Sequence, residues 1–418
     1  MIKVLHLWKS DSPSKGGGGA GSMHRLHSNL RKAGIESKIL CQIKTTDSSH
    51  VLVIPPRMRR TESLIRRVTS RLGLNDIHRV SSVGIKRHED YLAADIINFH
   101  GIHSGFISYL ALPSLTKDKP ALFTLRDMWC MTGHCALSYD CDRFKIGCGK
   151  CPYPDAHPPI RRDATRIEWK LKDWSYSRSK LSIVTVSKCQ TEQAKESMLS
   201  RFPIHHIPNG VDTETFQPLD PDLSRSALGI PKNLKVLMFA AVNLNLYGKG
   251  GDLLLEALQN LPESLKDEIL LLLLGSGGDT IARTAGIQSV SLGYISNERL
   301  KALAYSAADL FVFPTRAEGL SLVLLESMSC GTPMLSFRVG GNPDLVRDGI
   351  TGYLAEPENT KDLCNGILQL VEDGTLRNRM ARNCRQIALE EYSSDLETKR
   401  YIELYRHLLQ QEPYNSNL

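Results

Sequence analysis

The sequence predicts an α/β protein built from two doubly wound domains, and three observations support this prediction. A chain of 418 residues is longer than one ordinary α/β core. A buried strand, a glycine-rich turn and a helix open the chain, and the same order recurs from residue 235. Hydrophobic residues make up 41% and charged residues 23% of the chain, which is typical of a globular protein and excludes a disordered one.

The composition also limits where the protein acts. The apolar run at residues 2–7 is too short for a secretory signal and has no small-residue cleavage site after it. The longest apolar run elsewhere, residues 269–274, cannot span a bilayer. We therefore expect a cytoplasmic protein whose ten cysteines need not form disulfides. The net charge of +7 favours an anionic partner, a class that includes nucleotides, membranes and nucleic acids.

The first predicted elements are a strand at residues 2–7, a glycine-rich loop, a helix and a second strand at about residues 37–41. Gly16, Gly18 and Gly21 match the G-x-G-x-x-G pattern of dinucleotide-binding domains. Two features argue against that interpretation: the glycines start nine positions after the strand, and no acidic residue ends the second strand to hold a ribose. A flexible loop that binds nothing is the other alternative.

A basic segment follows at residues 56–90, where nine basic and four acidic residues give a net charge of +5. Its apolar residues at helical spacing are Leu64, Val68 and Leu72. Because Arg67 and Arg71 lie beside this stripe, the segment predicts a basic amphipathic helix. Such a helix can lie on an anionic membrane surface or pack on its own domain, and the sequence leaves both open.

Two further strands are predicted at residues 94–100 and 121–127. The first ends in His100, which places this histidine at the carboxyl edge of the sheet, where ligands of α/β domains bind. His103 is the second candidate at this edge. The alternative is a histidine that only satisfies its own hydrogen bonds within the sheet.

Half of the cysteines fall within residues 130–151, a clustering that suggests a metal site in a cytosolic protein. The spacings are x5, x6 and x2 between the four candidate ligands, which are Cys135, Cys141, Cys148 and Cys151. The closing C-x-x-C is one half of a zinc knuckle, whereas the x5 spacing is looser than usual. A structural Zn²⁺ and free or redox-active thiols are both compatible with the pattern.

The second domain is predicted to begin near the turn at Asn209-Gly210, and its first strand at residues 235–241. Lys249 and Gly250 then precede a leucine-rich helix. A lysine beside a helix N-terminus is suited to bind a diphosphate, because the helix dipole and free N–H groups also favour anions there.

Two glutamates mark the region from residue 310 to residue 331. A strand at residues 310–313 leads to a loop with Glu318, and an apolar helix follows from about residue 321 to 330. Glu326 lies in the middle of that helix, where a buried carboxylate needs hydrogen-bond donors. Eight residues at helical rise separate the two carboxylates by roughly 10 Å, which suits a ligand with hydroxyls at both ends and phosphates between them. A loop acid and a salt-bridged helix glutamate are the alternative.

This E-x7-E spacing resembles the signature of family 4 (group 1) retaining glycosyltransferases, which have the GT-B fold. The resemblance implies two facing Rossmann-like, doubly wound domains with an interdomain cleft. It implies an acceptor-side domain at residues 1–205 with a cysteine-rich insertion at 130–152, and a nucleotide-sugar-binding domain at 206–390. A C-terminal helix at residues 391–418 would cross back to the first domain.

The resemblance also assigns roles to residues of this chain. The catalytic residues would be Glu318, His100 and Lys249. The donor-binding residues would be Gly18, Gly19, Lys249, Gly250, Glu318, Gly319, Leu320, Ser321 and Glu326, with Glu318 on the donor sugar and Glu326 on the ribose. The reaction would need no catalytic metal and no protein nucleophile.

The chain departs from the family pattern at two places. Arg126 stands where the T-x-H-D-x-W motif has histidine. The arginine of the G-R-L…K-G motif is missing, and Asn243 or Asn245 stands near its place. These departures leave open a catalytically silent nucleotide-sugar-binding protein. A nucleotide-sugar epimerase of the same fold is the other alternative, whereas a phosphorylase would need a Schiff-base lysine segment that the sequence lacks.

The cysteine-rich insertion resembles a subgroup of polysaccharide-assembling enzymes that includes colanic-acid-type transferases. The implied function is hexosyl transfer (EC 2.4) from a nucleotide-diphosphate sugar to a glycan or lipid-linked acceptor in exopolysaccharide, capsule or lipopolysaccharide biosynthesis. The implied partners are the nucleotide sugar, that acceptor and the inner membrane face as a peripheral contact, with no nucleic acid.

Overall fold

The computed structural model describes residues 1–11, 13–54 and 58–411, with only the backbone for residues 13–16. It divides into two compact units. Unit 1 contains residues 1–208 and the chain from residue 397 onward, and unit 2 contains residues 209–396. None of the described helices is both long enough and apolar enough to cross a membrane.

The strands alternate with helices along nearly the whole described chain. The strands are β1 (Lys3–Trp8), β2 (Glu36–Cys41), β3 (Val51–Val53), β4 (Ile96–Gly101), β5 (Ala121–Thr124), β6 (Ser182–Thr185), β7 (Ile204–His206), β8 (Lys235–Asn243), β9 (Ile269–Ser276), β10 (Gln288–Ser291), β11 (Leu310–Phe313), β12 (Met334–Phe337) and β13 (Gly352–Ala355). Such alternation produces parallel sheets, because each helix returns the chain to the same sheet edge.

The helices differ greatly in length. They are α1 (Pro13–Lys32), α2 (Arg59–Arg71), α3 (Glu89–Ala93), α4 (Leu112–Leu115), α5 (Thr165–Tyr176), α6 (Lys188–Lys195), α7 (Pro221–Ala227), α8 (Gly251–Gln259), α9 (Glu263–Lys266), α10 (Gly278–Thr284), α11 (Glu298–Ala307), α12 (Leu322–Ser329), α13 (Asn342–Leu345), α14 (Thr360–Glu372), α15 (Gly374–Glu391) and α16 (Ser394–Gln410). Short 3₁₀ turns occupy residues 80–87, 109–111, 143–145, 198–201 and 247–249.

Unit 1 contains a seven-stranded parallel sheet in the order β3-β2-β1-β4-β5-β6-β7. Leu5 of β1 pairs with Lys38 of β2 on one side and with Ile97 of β4 on the other. The strand order therefore reverses between β1 and β4, and the crevice outside the carboxyl ends of these two strands is where a doubly wound sheet binds its ligands.

The glycine-rich segment differs from the predicted loop. It lies within α1, which contains one non-helical residue, Gly17, at φ 67° and ψ −167°. Glycine reaches that conformation without a Cβ clash, and the residues on both sides stay helical. The sequence could not show which of four consecutive glycines would interrupt the helix.

Residues 397–410 of α16 complete the core of unit 1. Tyr401 and Tyr405 are fully buried and pack in one apolar cluster with residues of β1, α1 and β4. Their hydroxyls also meet buried polar groups, because Asn98 Nδ2 donates to Tyr405 Oη at 3.2 Å and Thr124 Oγ1 lies 3.3 Å from Tyr401 Oη. The last helix thus satisfies polar side chains inside the first sheet.

Unit 2 contains a six-stranded parallel sheet in the order β10-β9-β8-β11-β12-β13. Its strand order reverses between β8 and β11, where Leu237 pairs with Leu310. The two ends of the unit are joined, since Val211 N donates to Tyr392 O at 2.8 Å and Ser394 N donates to Val211 O at 2.9 Å. The predicted α/β class with two doubly wound domains is confirmed.

Candidate functional site

The carboxyl ends of β8 and β11 bring together the predicted residues of unit 2. Lys249 lies in the 3₁₀ turn before α8, and Gly250 follows it as the helix N-cap at φ 71°. A Cβ at Gly250 would come within 1.8 Å of Pro314 O, so only glycine allows this turn to contact the loop after β11. The glycine therefore fixes the position of Lys249 next to that loop.

Lys249 and Glu318 form an ion pair, with the Lys249 side chain 28% exposed and that of Glu318 16% exposed. The two loops are also joined through their backbones. Thr315 Oγ1 donates to Gly248 O at 2.7 Å, and Arg316 N donates to the same carbonyl at 2.9 Å. A cation and an anion thus lie side by side at the switch point of the second sheet.

Arg316 was not predicted from the sequence, yet it connects the two loops that carry this pair. Its guanidinium donates to both carboxylate oxygens of Asp252 at 2.8 and 2.6 Å, to Glu358 at 2.8 Å and to Tyr247 O at 2.7 Å. These hydrogen bonds, first those with Asp252, raise the pKa of Arg316. The available signal was an arginine two residues before Glu318, in TRAEG.

The backbone of Glu318 is held from the next strand. Gly340, after β12, has φ 51°, and a Cβ there would come within 1.9 Å of Glu318 O. Gly341 N donates to the same carbonyl at 3.3 Å. The predicted neighbours Gly319 and Leu320 continue this loop into Ser321, whose hydroxyl accepts from Leu324 N at 3.4 Å and caps α12.

Glu326 is 5% exposed in the middle of α12, and it has the donors that a buried carboxylate requires. Lys301 Nζ donates to Oε1 at 2.9 Å, and Tyr305 Oη donates to Oε2 at 3.1 Å. Both partners lie on α11, which the sequence pattern could not connect with α12. The carboxylate still has acceptor capacity, because two oxygens offer about four lone-pair sites.

The loop after β8 lacks an arginine where the family pattern has one. Asn243 Oδ1 accepts from Asn245 N at 3.0 Å, so these two residues stabilise their own turn. In the part of this loop that the structure describes, Lys249 is therefore the predicted phosphate-binding cation that is present.

In unit 1, His100 ends β4 beside His6 of β1, and both rings are buried. His100 Nδ1 accepts from Arg126 Nη2 at 3.1 Å, and His100 Nε2 lies 2.8 Å from His6 Nδ1. Because Nδ1 accepts, the proton of His100 lies on Nε2 and is donated to His6. Burial, followed by the Arg126 charge, holds the pKa of His100 well below its ordinary value. Both ring nitrogens are thus engaged within the unit.

Arg126 connects this histidine pair with the start of α1. Its Nη1 donates to Ser22 Oγ at 2.8 Å. A Cβ at Gly19 would lie 3.3 Å from Arg126 Cβ and 2.7 Å from the ring of Trp8. The predicted residue Gly19 is therefore next to the His100 network, with Gly18 before it in the same turn of α1.

His103, the second histidine candidate, lies between two acceptors. His103 Nε2 is 2.9 Å from Asp127 Oδ2, and Nδ1 is 2.7 Å from Ser104 Oγ. Burial, the largest single effect, lowers the pKa of His103, but the charge of Asp127, its hydrogen bond and the charge of Asp76 together outweigh burial and raise that pKa. The surroundings of His103 and His100 therefore shift the pKa values of the two histidines in opposite directions.

The four candidate zinc ligands are free thiols in this structure. Gly133 N donates to Cys148 Sγ at 3.2 Å, and His134 Nε2 lies 3.2 Å from Cys151 Sγ. Burial raises the pKa of Cys135 to about 12 and that of Cys148 to about 11, which favours thiols over the thiolates that zinc binds. In the described ranges, no group of three or more metal-binding side chains converges. Zinc binding stays a prediction.

Comparison with known families divides the chain at nearly the same place as the structure. Residues 16–215 match the model described as Glycosyltransferase Family 4, and residues 221–387 match the model described as Glycosyl transferases group 1. A D-inositol 3-phosphate glycosyltransferase of Thermobifida fusca is 34% identical over 185 residues. This match covers 41% of the chain and 42% of that relative, so the chain spans less than half the length of the relative.

Solved structures resemble the chain over nearly its whole length. A sucrose-phosphate synthase from Thermosynechococcus elongatus gives a TM-score of 0.72 at 17% identity, covering 98% of this chain and 100% of that one. Anabaena HepE in complex with UDP and glucose gives 0.67 at 17% identity, covering 97% and 100%. At these identities the likeness shows the fold alone.

Proposed function

Because the chain belongs to the group 1 glycosyltransferases of family 4 and has the GT-B fold, we propose that it transfers a sugar from a nucleotide-diphosphate sugar to an acceptor hydroxyl with retention of configuration. The observation that carries this proposal is the Lys249–Glu318 pair at the switch point of the second sheet. A diphosphate would bind Lys249, and the sugar hydroxyls would donate to Glu318.

The proposed mechanism is electrostatic and uses no protein nucleophile. The bond between the anomeric carbon and the diphosphate oxygen breaks while the acceptor oxygen bonds to that carbon on the same face. The acceptor proton passes to the departing phosphate. Lys249 and the N-termini of α8 and α12, with Gly250 and Ser321, would stabilise the negative charge that develops on the diphosphate.

Four other predicted residues have supporting roles in this proposal. Glu326 would accept from the ribose with its remaining lone pairs while Lys301 and Tyr305 hold it in place. His100 would position the sugar-binding edge of unit 1 through its neighbours, since both of its ring nitrogens are engaged. Gly18 and Gly19 would allow the start of α1 to approach the sugar.

We further propose a glycan or lipid-linked acceptor and a peripheral contact with a membrane. Leu64 and Val68 on α2 are 63% and 52% exposed, Leu72 just after the helix is 46% exposed, and exposed arginines flank them. An amphipathic helix of this kind binds an anionic lipid surface through its apolar stripe and its cations together. Polysaccharide assembly, the pathway that the insertion at residues 130–152 suggests, fits such an acceptor.

The test combines binding and transfer. In a thermal-shift screen against nucleoside diphosphates and their sugars, a ligand at about a hundred times its Kd should add close to 3 kcal/mol of stability. UDP is the first probe, since HepE is a structural neighbour with UDP bound. Glu318→Ala should abolish transfer with the fold intact, and Glu263→Ala, whose side chain is 89% exposed, is the matched control. Full transfer by Glu318→Ala would contradict the mechanism.

A catalytically silent nucleotide-sugar-binding protein is the second candidate, and the asparagines at positions 243 and 245 favour it. Without the family arginine, one phosphate cation is missing from the loop after β8. Donor hydrolysis distinguishes the two candidates, because an enzyme slowly transfers the sugar to water whereas a binding protein leaves the nucleotide sugar intact.

A further inference from the structure

Two adjoining cavities, of about 590 and 650 Å³, open at the carboxyl end of the sheet in unit 1. Both are lined by Arg66, His78, Ser104 and Gly105. Lys9, which follows β1, lines the first cavity, and Ser104 follows β4. The cavities therefore lie at the switch point between these strands, where doubly wound sheets bind ligands.

The cavity linings are strongly basic. Their lysine and arginine members are Lys9, Arg59, Arg66, Arg67, Arg71, Arg79 and Arg161. Glu62 and Asp76 are the acidic members, and both already have partners. Glu62 binds Arg79 at 2.5 Å and the Ser81 hydroxyl at 2.6 Å, while Asp76 accepts from the backbone N–H groups of Ser104 and Gly105. Because both carboxylates already have these partners, neither one neutralises the charge of the remaining lysine and arginine side chains.

Five of these arginines have no carboxylate within ion-pair distance in the described part of the chain, and they are Arg59, Arg66, Arg67, Arg71 and Arg161. By contrast, Arg316 is paired with Asp252, and Arg347 is paired with Glu391. All five residues are exposed, so water and salt screen their mutual repulsion, but together they give the cavities a positive potential. This cluster therefore favours an anionic ligand.

Two polar groups in the same linings also have no partner. His78 is 8% exposed and lines both cavities, and no described residue makes a hydrogen bond to its ring. Asn75 lines the second cavity, and its Nδ2 is buried without a hydrogen-bond partner among the described residues. The His78 ring nitrogens are not fully buried, so a ligand oxygen in the cavities can accept a hydrogen bond from this ring, whereas Asn75 Nδ2 is closed off from solvent.

We propose that these cavities bind a phosphoryl group of the acceptor substrate. This inference rests on the proposed glycosyltransferase function and names the chemical class of its acceptor. Guanidinium groups bind phosphate oxygens in a bidentate manner, and the accessible ring of His78 adds a neutral donor. The phosphoryl group can belong to a soluble phosphate ester or to a lipid head group.

Matched probes separate these two sources. Glycerol 3-phosphate carries the phosphate in soluble form, with glycerol as its uncharged control. Phosphatidylcholine vesicles containing phosphatidic acid carry the same head group on a lipid, with pure phosphatidylcholine vesicles as control. Titration calorimetry follows the soluble probe and cosedimentation follows the vesicles, both with the full chain.

Arg66→Gln should weaken binding about ten- to a hundredfold, the usual loss for a hydrogen bond to a charged group. Arg60→Gln is the matched control, because Arg60 lies on α2 but in neither lining, and it should leave binding unchanged. Arg161→Gln, outside α2, should repeat the loss if Arg66→Gln disturbs the helix.

Binding of glycerol 3-phosphate assigns a soluble ester, and binding of the vesicles alone assigns a lipid head group. Failure of both probes, or equal losses in Arg66→Gln and Arg60→Gln, would overturn the inference. UDP binding, with Lys249→Ala for comparison, is measured in parallel. UDP binding without phosphate binding refutes the acceptor site alone, whereas phosphate binding without binding of UDP or of any other nucleoside diphosphate in the screen refutes the proposed donor site alone.

Discussion

At the scale of single residues, Lys249 and Glu318 neutralise each other, and a donor must separate them. Glu318→Gln removes the partner of Lys249, so we expect UDP alone to bind more tightly to this variant while sugar transfer is lost. Lys249→Ala should weaken UDP binding about ten- to a hundredfold, because a hydrogen bond to a charged group is removed. Calorimetric titration of both variants with UDP tests whether the affinity rises in Glu318→Gln and falls in Lys249→Ala.

Lys232→Ala is a suitable control for these titrations, because its side chain is 60% exposed and it pairs with Asp222 away from the predicted donor residues. If Glu318→Gln bound UDP more weakly than the unaltered chain, the carboxylate would be supporting the phosphate site and not competing for its lysine.

The buried histidine pair gives a second prediction at this scale. Burial and then the charge of Arg126 lower the pKa of His100. Arg126→Gln keeps a donor but removes the charge, so the pKa of His100 should rise and stay below its ordinary value. Imidazole NMR shifts followed against pH measure it. Arg126→Lys keeps the charge and should leave the pKa low, and an unchanged pKa in Arg126→Gln would contradict this explanation.

Single residues also show what the sequence could predict. The position of Glu326 in an apolar helix predicted that its carboxylate needs hydrogen-bond donors. That Lys301 and Tyr305 supply them depends on the packing of α11 against α12, which no local pattern encodes. The contacts of Arg316 and of His100 could not be predicted for the same reason. In each unit, these contacts join residues from different strands and loops that meet at the edge of the sheet.

At the scale of elements, the turn before α8 depends on Gly250. Gly250→Ala would strain a residue at φ 71° and also place Cβ 1.8 Å from Pro314 O. Gly229→Ala is the matched control, since Gly229 has φ 67° with no atom within 4 Å of its Cβ position. We expect about 1 kcal/mol of destabilisation at Gly229, from backbone strain. Gly250→Ala should cost about 1–3 kcal/mol more, because its Cβ also meets the Pro314 carbonyl.

Hydrogen exchange of amides in β8 and β11 measures both effects within unit 2. Equal losses of protection in the two variants would mean that the Pro314 contact is relieved at no cost. The strand at residues 310–313 and the helix near residues 322–329 were predictable, because apolar runs bounded by proline and glycine mark them. The helical conformation of the glycine-rich segment was not, since glycine is a poor helix former whose state depends on what packs against it.

At the scale of the whole molecule, stability should depend on pH through Glu168. This carboxyl is 1% exposed, and burial raises its pKa to about 7, although Lys172 and hydrogen bonds from Tyr109 and Asn75 oppose the shift. A pKa raised on folding gives stability below the unfolded pKa that is lost as pH rises through 7. From the ordinary value of 4.5, the loss amounts to about 3 kcal/mol.

Urea unfolding at pH 5 and pH 8 measures this loss, with tryptophan fluorescence as the signal. All four tryptophans lie in unit 1, so the signal reports on the unit that contains Glu168. Glu168→Gln keeps the shape and removes the charge, and the difference from the unaltered chain isolates this residue from Lys172, whose lowered pKa acts in the opposite sense. Equal pH dependence in both chains would contradict the assignment.

The two doubly wound units were predictable at this scale because the alternation of strands and helices spans nearly the whole chain. The basic cavities were only partly predictable. The sequence indicated a basic amphipathic helix, but Lys9, Arg79 and Arg161 join its arginines only through the folding of unit 1. Local sequence patterns predict the strands and helices. The composition of the site depends on which residues meet at one edge of a sheet, and local patterns do not predict that.

The place of α16 has a consequence for biosynthesis. The side chains of Asn98 and Thr124 make hydrogen-bond contacts with Tyr405 and Tyr401. These contacts cannot form until the ribosome has added the two tyrosines, which follow all of unit 2 in the chain. The backbone hydrogen bonds that join the two ends of unit 2 can form as soon as Tyr392 and Ser394 have been synthesised, because their partner Val211 precedes them. The part of the protein that is translated first is therefore completed last. A nascent chain that stalls before residue 397 would leave an apolar groove of the first sheet open to chaperones.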